Sequence, residues 1–447
     1  MASVLRTGAS TRLPEGLSRS GADVVLLAVA LIAATCSYAT VARWYNITAV
    51  VVGVPAIVLA VALCRFGTPR WWTVGLGLAI TLVPQVAKPQ TGEVDRRATL
   101  PWAVSLAFVG CVVLIAAALP WLRRIRLGLL MITGLIAALA LVLEIVGAAR
   151  PHIDVWLIFQ QASAGLFHGM NPYDHTYAHI PAGQTASCYN YLPTTLLVSW
   201  VGWITLDDVR YAELAVLAAG WITLGIAGWR AAGGDPERRF RVLSLLGVAV
   251  VLVGTMRVTQ QAWNESVAVG FMMLAVGLIS LGRRNWAVVA LGAALATKQH
   301  MVLLLPLFAI WRIFGWRRAA AAVGVAAAIS APWVLWNPAR FTHCTVAFFI
   351  DLPARKDSLS VWQYLPGPLG TPVVLLLVIG PLVLAVRRLP HTIGGLLVGA
   401  GATLASFNFA NKQTFQNQWW IAGELLLCGL AFCSLESTEH DEAARPG

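Results

Sequence analysis

Long apolar stretches recur along almost the whole chain, and they restrict its fold more than any other feature. They fall at 23–40, 47–63, 71–87, 101–120 and 127–148, then at 192–205, 211–228, 241–256 and 265–281. The last are at 286–298, 301–314, 319–334, 369–386, 391–407 and 419–434. A helix that crosses a bilayer needs roughly 20 apolar residues, and its backbone N–H and C=O groups must be satisfied within the segment. Soluble domains carry about 25 % charged residues; this chain has 12 %, against 58 % hydrophobic residues. The pattern predicts an all-α polytopic integral membrane protein, a helical bundle with interfacial helices on its outer face.

The connections set the sidedness. Basic loops are retained on the cytoplasmic side, and short arginine-rich links recur here. They hold Arg65 and Arg70; Arg123, Arg124 and Arg126; Arg230, Arg238, Arg239 and Arg241; Arg283 and Arg284; Arg312, Arg317 and Arg318; and Arg387 and Arg388. Their clustering accounts for the net charge of +12 without a nucleic-acid partner. All of them fall on one side only if 192–205 does not cross fully. That span is short and starts on Leu192-Pro193, which fits an interfacial or re-entrant helix. The segment 286–314 must then be two short helices broken at Lys298-Gln299-His300. Fourteen crossings result, with both termini inside and 88–97 outside.

The first span does not end in an Ala-x-Ala cleavage site and reads as a retained helix over 24–40. Three parts are expected: a basic tail with four leading transmembrane helices (1–126), a main transmembrane module (127–434) and a polar C-terminal tail (435–447). The seven cysteines, at 36, 64, 111, 188, 344, 428 and 433, show no metal-ligand spacing. Cys188 and Cys344 both fall in outer segments, where a disulfide is chemically permitted. No cofactor motif is present.

The longest non-membrane stretches, 150–191 and 335–366, both lie on the outer side. The first holds an acid where acid is scarce: Asp154, in Pro151-His152-Ile153-Asp154-Val155-Trp156, directly after an apolar span. From Asp154 to Met170 the residues Val155, Phe159 and Leu166 recur around Gln160 and Gln161. That predicts an amphipathic helix on the surface, ended by Asn171-Pro172-Tyr173. Asp154 suits a general base, which must hold a carboxylate within hydrogen-bond reach of an acceptor hydroxyl. It also suits an N-cap of that helix, and the two roles are compatible. Asp174, in the turn that follows, is a rival acid.

Further polar residues gather on the same side. Lys298 lies between two apolar helices, where a lone ammonium costs about 2.5–3.5 kcal/mol at a helix centre. It reads either as a snorkelling side chain or as a contact for an anionic lipid. Lys298, Arg355, Lys356 and Lys412 all suit a phosphate at the membrane edge; His343 shares the outer loop of Arg355. Asn264 and Glu265 open a helix, and Glu265 either offsets Arg257 or belongs to the site. Tyr173, Tyr191 and Gln413 complete the substrate-binding candidates. Tyr189, Tyr191, Trp333, Trp336, Trp362, Trp419 and Trp420 read as sugar-stacking groups or as the aromatic belt of the interface. His152 and His343 have no carboxylate at ligand spacing, so no metal is expected.

In order and sidedness these motifs resemble the GT-C superfamily, specifically family GT87. The matching elements are Asp154, Gly169-Met170-Asn171-Pro172-Tyr173, Tyr191-Leu192-Pro193, Asn264-Glu265, Lys298-Gln299 and Lys412-Gln413-x-Phe415, spread over 127–434. The resemblance implies an inverting hexosyl- or pentosyltransferase of an actinobacterial plasma membrane that uses a polyprenyl-phosphate sugar, mannose first, with arabinofuranose or another hexose left open. It implies a glycolipid or lipid-linked polysaccharide acceptor, an active site on the periplasmic or extracellular side, and neither nucleotide nor required metal. It gives Asp154 the part of catalytic base and places His343 near the donor phosphate. Two departures stand out. The acid usually follows the first helix and here follows the fifth span, and Leu192 replaces the first proline of a Tyr-Pro-Pro element.

A transporter or flippase of a lipid-linked saccharide is the competing expectation, because short broken helices around 286–314 suit alternating access. A structural membrane subunit is a third, in which Asp154 would be replaceable.

Overall fold

A computed structural model of the chain describes residues 15–37, 43–63, 66–87, 119–147, 151, 153–177, 188–252, 254–355, 358–365 and 370–443. Every regular element among them is helical. The principal helices are α1 (Glu15–Ser37), α2 (Arg43–Leu63), α3 (Trp71–Ala87), α4 (Arg126–Gly147), α5 (Asp154–Phe167), α6 (Pro193–Leu206), α7 (Val209–Ala231) and α8 (Pro236–Val250). They continue with α9 (Thr255–Gln260), α10 (Glu265–Ser280), α11 (Arg284–Leu295), α12 (Leu305–Ile310) and α13 (Trp316–Trp336). After short helical turns come α14 (Gly370–Arg388), α15 (Ile393–Ala410) and α16 (Gln416–Ala443). Six of the described helices, α4, α7, α13, α14, α15 and α16, are long and apolar enough to cross a membrane. The chain is an all-α, multi-pass membrane protein. The expected span at 101–120 and the link at 88–97 lie outside the described residues.

Contacts between helices fix their directions. Gly220 of α7 lies against Gly270 of α10, where an added Cβ would come within 2.4 Å of the Gly270 carbonyl oxygen; Gly277 lies against Thr223 and Leu224. The two helices therefore run parallel at the close spacing that small residues allow between apolar helices. Their first turns, with Arg210 Nη1 donating to the Gln260 carbonyl at 3.1 Å, share one end of the bundle. Their last turns reach the other.

The same tracing places the arginine links together at that other end. Arg126 pairs with Glu237 and stacks on Phe240 at 4.5 Å; Phe240 meets Trp71. Arg238 donates to the Leu435 carbonyl at 3.0 Å. Trp311 Nε1 donates to the Thr392 carbonyl at 2.9 Å.

Helix α6 does not leave the end at which it starts. Tyr191, just before it, packs on Phe159 of α5 at 4.8 Å between ring centroids. Just after it, the Asp207 carbonyl accepts from Gln160 Nε2 at 2.9 Å, and Asp208 Oδ1 accepts from Trp156 Nε1 at 3.4 Å. Both ends of α6 thus touch little more than one turn of α5. The condition that the arginine links imposed on this span is met by packing. The broken segment is also present: α11 stops at Leu295, and residues 299–304 form a 3₁₀ turn before α12.

Three boundaries differ from expectation. The span 241–256 is not one helix: α8 begins at Pro236 and ends at Val250, and Gly254, at φ 113°, turns the chain into α9. Helix α5 stops at Phe167, before Asn171-Pro172-Tyr173, because Gly169 takes the left-handed φ of 74° that ends helices. The expected tail at 435–447 continues α16 as far as Ala443. There Glu436 accepts from Thr392 Oγ1 at 2.8 Å and from Gly394 N at 3.2 Å, tying α16 to the first turn of α15. The leading helices share one apolar core with the last, from Ala22 and Val29 of α1 to Leu426 and Leu435 of α16.

Candidate active site

The end opposite the arginine links is assembled around the break after α11. A helix leaves its last carbonyls without intrahelical donors. Here the start of α6 supplies the donors. Thr194 N donates to the Ala296 carbonyl at 2.9 Å; Leu192 N (3.4 Å) and Thr195 Oγ1 (3.2 Å) donate to that of Thr297. Asn264 Nδ2 reaches the same Thr297 oxygen at 3.5 Å. The Leu-Pro start of α6 and the Asn-Glu start of α10 therefore converge on one interruption.

Lys298 is the residue this interruption frees. Its ammonium pairs with Glu265, which is fully buried at the first turn of α10, where a carboxylate is favoured by the helix dipole. Asn417 Nδ2, from the first turn of α16, donates to the same Glu265 oxygen at 2.7 Å. The expected pairing of Glu265 with Arg257 does not form: Arg257 Nη1 donates to Gln416 Oε1 at 2.8 Å. Nor does Lys298 simply snorkel, since a buried carboxylate holds it. Glu265 Oε2, Asn417 Oδ1 and Asn190 Oδ1 are buried without a hydrogen-bond partner among the described residues. Buried polar atoms of proteins are normally satisfied, so the orphans on Glu265 and Asn417, at one ion pair, mark a place suited to a polar ligand.

Tyr191 connects this pair to Asp154. Burial first, then the charges of Asp154, Glu265 and Glu213, push its phenol well above the usual tyrosine range. Tyr191 therefore keeps its phenolic proton in the field of these carboxylates. Asp154 itself is exposed and makes no ion pair among the described residues. It is not the N-cap of α5, a place taken by Ile153; it stands in the first turn, where its Oδ1 accepts from Val155 N at 2.9 Å.

The stretches 171–177 and 188–192, the strap, are fixed from beneath. Tyr173 is wholly buried and donates from its hydroxyl to the Tyr191 carbonyl at 2.9 Å. It supports the site instead of facing it, which corrects its place among the substrate-binding candidates. Asp174 is likewise structural: it accepts from Asn171 Nδ2 (3.0 Å) and Asn337 Nδ2 (2.7 Å), with Arg340 Nε at 3.8 Å. A disulfide joins Cys188 to Cys344, with Cα atoms 6.0 Å apart. Gln299 Nε2 bridges the carbonyls of Asn190 (3.3 Å) and Thr345 (3.0 Å). His343, next to the disulfide, is exposed.

Other candidates serve a latch. Lys412 Nζ donates to the Ile350 carbonyl at 2.8 Å, Gln413 Nε2 to that of Pro353 at 2.6 Å, and Arg355 lies over the Phe415 ring at 4.8 Å. Together they fasten residues 350–355 to the turn before α16, so Lys412 and Gln413 are spent on backbone carbonyls. Of the aromatic candidates, Tyr189, Trp333, Trp419 and Trp420 are buried in the core. Lys356 and His152 lie outside the described residues. No group of His, Cys, Asp and Glu suited to a metal occurs among the described residues.

Asn417 was not among the sequence candidates. Its only signal is a polar pair, Asn417-Gln418, at the mouth of an apolar span.

No family model and no curated protein sequence matches the chain. Among solved structures, ArnT from Cupriavidus metallidurans bound to undecaprenyl phosphate is similar over 62 % of this chain, at 18 % sequence identity and a TM-score of 0.43. The match spans 55 % of the length of that chain.

Proposed function

We propose that the chain is an inverting glycosyltransferase that moves a sugar, mannose in the first instance, from a polyprenyl-phosphate donor to a hydroxyl of a glycolipid or lipid-linked polysaccharide. The observation that carries this reading is the Lys298–Glu265 ion pair together with the exposed carboxylate of Asp154, the charges of Glu265 and Asp154 both acting on Tyr191, at the end of the bundle away from the arginine links. Asp154 takes the proton of the acceptor hydroxyl as that oxygen bonds to the anomeric carbon. The bond from the anomeric carbon to the phosphate oxygen breaks with its electron pair, and the polyprenyl phosphate departs. Lys298, drawn from Glu265 toward the new charge, stabilises the leaving phosphate, and Asn417 keeps Glu265 in place as it does so. His343, exposed beside the strap, is a second candidate for the phosphate.

Two independent features support an outward-facing site. The arginine links gather at the far end, as positively charged cytoplasmic loops do, and the Cys188–Cys344 disulfide lies at the near end, as expected on an oxidising side.

The test is sugar transfer by the full chain in liposomes with a panel of synthetic polyprenyl-phosphate sugars and mycobacterial lipid extract. Wild type should give product, and folded Asp154→Asn should lose roughly 10²–10⁴-fold in rate, the usual contribution of a general base. Equal rates would remove Asp154 from the chemistry. Movement of a labelled lipid-linked saccharide across the bilayer without glycosidic product would favour a flippase.

A further inference from the structure

The outer end of the bundle holds another buried ion pair, which the proposed chemistry leaves unused. It joins Arg210, in the first turn of α7, to Asp208, and their side chains are 1 % and 13 % exposed. Arg210 Nε donates to both carboxylate oxygens, at 2.9 Å and 3.1 Å, and Nη2 donates to Oδ2. The backbone N–H of Arg210 donates to Asp208 Oδ1 as well, at 3.0 Å. One carboxylate therefore caps α7 and holds the guanidinium. A planar fork of this kind fixes the orientation of its partner, which a single ammonium does not.

Contacts outside the pair give it a direction. On one side Trp156 Nε1 donates to Asp208 Oδ1, and the guanidinium lies 5.9 Å from the centre of the Trp156 ring. One turn further along α5, Gln160 donates to the Asp207 carbonyl. Helix α6 presents that carbonyl by ending on Asp207 in the left-handed conformation, at φ 56°. On the other side Arg210 Nη1 donates to the Gln260 carbonyl, and Gln260 Nε2 donates to Glu144 Oε2 at 3.3 Å, in the last turn of α4. In the chain Asp154 lies between Glu144 and Trp156. The segment that carries the candidate base is thus tied on both sides to one guanidinium. An apolar contact of the same size would avoid the hydration cost of a buried ion pair, but it would not orient an indole and a backbone carbonyl together.

We propose that Arg210, acting through Asp208 and Trp156, is a positioning residue for Asp154. The inference rests on the proposed glycosyl transfer for the role of Asp154. Arg210 touches no substrate; it sets where the first turn of α5 stands.

The experiment uses the full chain in phosphatidylcholine nanodiscs, with amide hydrogen exchange beside sugar transfer. Arg210→Met leaves Asp208 without its cation and is expected to unfold part of the sample, so two milder variants carry the test. Trp156→Phe removes the indole N–H and keeps a ring; Arg210→Lys keeps the charge and loses the fork. In both, amides 157–160 should exchange about tenfold faster, the worth of about one hydrogen bond in local opening, with α10 unchanged. Arg210→Lys should lower kcat about 10²-fold, the loss expected when a reacting group moves by about 1 Å, at unchanged KM for the donor. Trp156→Phe should lower it less. In an Asp154→Asn background Arg210→Lys should cost nothing more, because residues that act as one unit do not add. A merely structural role would instead lower both backgrounds by the same factor. That result, a loss confined to KM, or exchange unchanged in both variants would each overturn the proposal. Exchange needs no turnover, so the two readings fail separately. Faster exchange in a chain that transfers sugar from no donor would sink the enzyme and keep the clamp on α5; transfer with exchange unchanged would do the reverse.

Discussion

The two ends of the bundle treat charge in opposite ways. At the arginine end most charges face solvent: Arg283, Arg284, Arg312, Arg317, Arg387 and Arg388 are exposed, and Glu237, which pairs with Arg126, is itself 42 % exposed. At the other end the Glu265 side chain is 1 % exposed and that of Lys298 12 %. Exposed charges gain little from any one partner, because water and salt screen them. A buried pair is different, since each charge depends on the other to offset the loss of hydration. The first arrangement orients a chain in a membrane and tolerates exchange of individual residues. The second fixes one geometry and carries a desolvation cost that a purely structural contact could avoid with two apolar side chains.

The largest effect should come from splitting the pair. Lys298→Met leaves Glu265 buried without its cation, and Glu265→Gln leaves Lys298 without its anion; either should cost about 3–5 kcal/mol, read as a fall in the thermal midpoint. The double variant Lys298→Met/Glu265→Met should regain most of that stability and show no sugar transfer. A stable double variant that still transfers sugar would reduce the pair to scaffolding and erase the contrast between the ends.

A smaller loss should follow from opening the strap. Cys188→Ser/Cys344→Ser removes a link between residues 156 apart in sequence, and a disulfide is worth about 2–4 kcal/mol. Transfer by the surviving folded fraction should also fall, because Tyr191 loses one of its supports. Smaller again is Asn417→Ala. It removes a neutral donor from Glu265 and should cost about 1–3 kcal/mol, with a higher KM for the donor. An unchanged KM would separate α16 from the site.

The helical skeleton was legible because hydropathy reports directly on helices in lipid. Spans at 71–87, 127–148 and 265–281 coincide with α3, α4 and α10 to within a residue. The restriction on 192–205 was legible too, because arginine sidedness is a global constraint on every crossing. Partners were less so. The sequence marks Glu265 and Lys298 as anomalous, yet nothing local joins residues 33 apart, and Arg257 was nearer in sequence. Tyr173 appeared beside a turn and so looked accessible; only packing buries it. Asn417 was hidden because a helix end is an ordinary place for an amide. Cys188 and Cys344 were placed on one side by topology, but only the packing of the folded chain brings their Cα atoms to 6.0 Å.

The smallest effect tests the arginine end. Arg283→Gln/Arg284→Gln removes two exposed charges from the link between α10 and α11, the helices that carry Glu265 and Lys298 at their far ends. Exposed substitutions usually stay within about 0.5 kcal/mol, so the thermal midpoint should hardly move. Transfer should also be unchanged, since the other arginine links keep the sidedness bias. Labelling of single cysteines introduced at 283 and 343, with an impermeant maleimide on intact cells in a background lacking Cys188 and Cys344, should mark 343 and spare 283. If the neutralised link instead abolished transfer with sidedness intact, the motion or spacing of α10 and α11 would be transmitted from one end to the other. The two ends would then act as one device, and the arginines would do more than orient the chain.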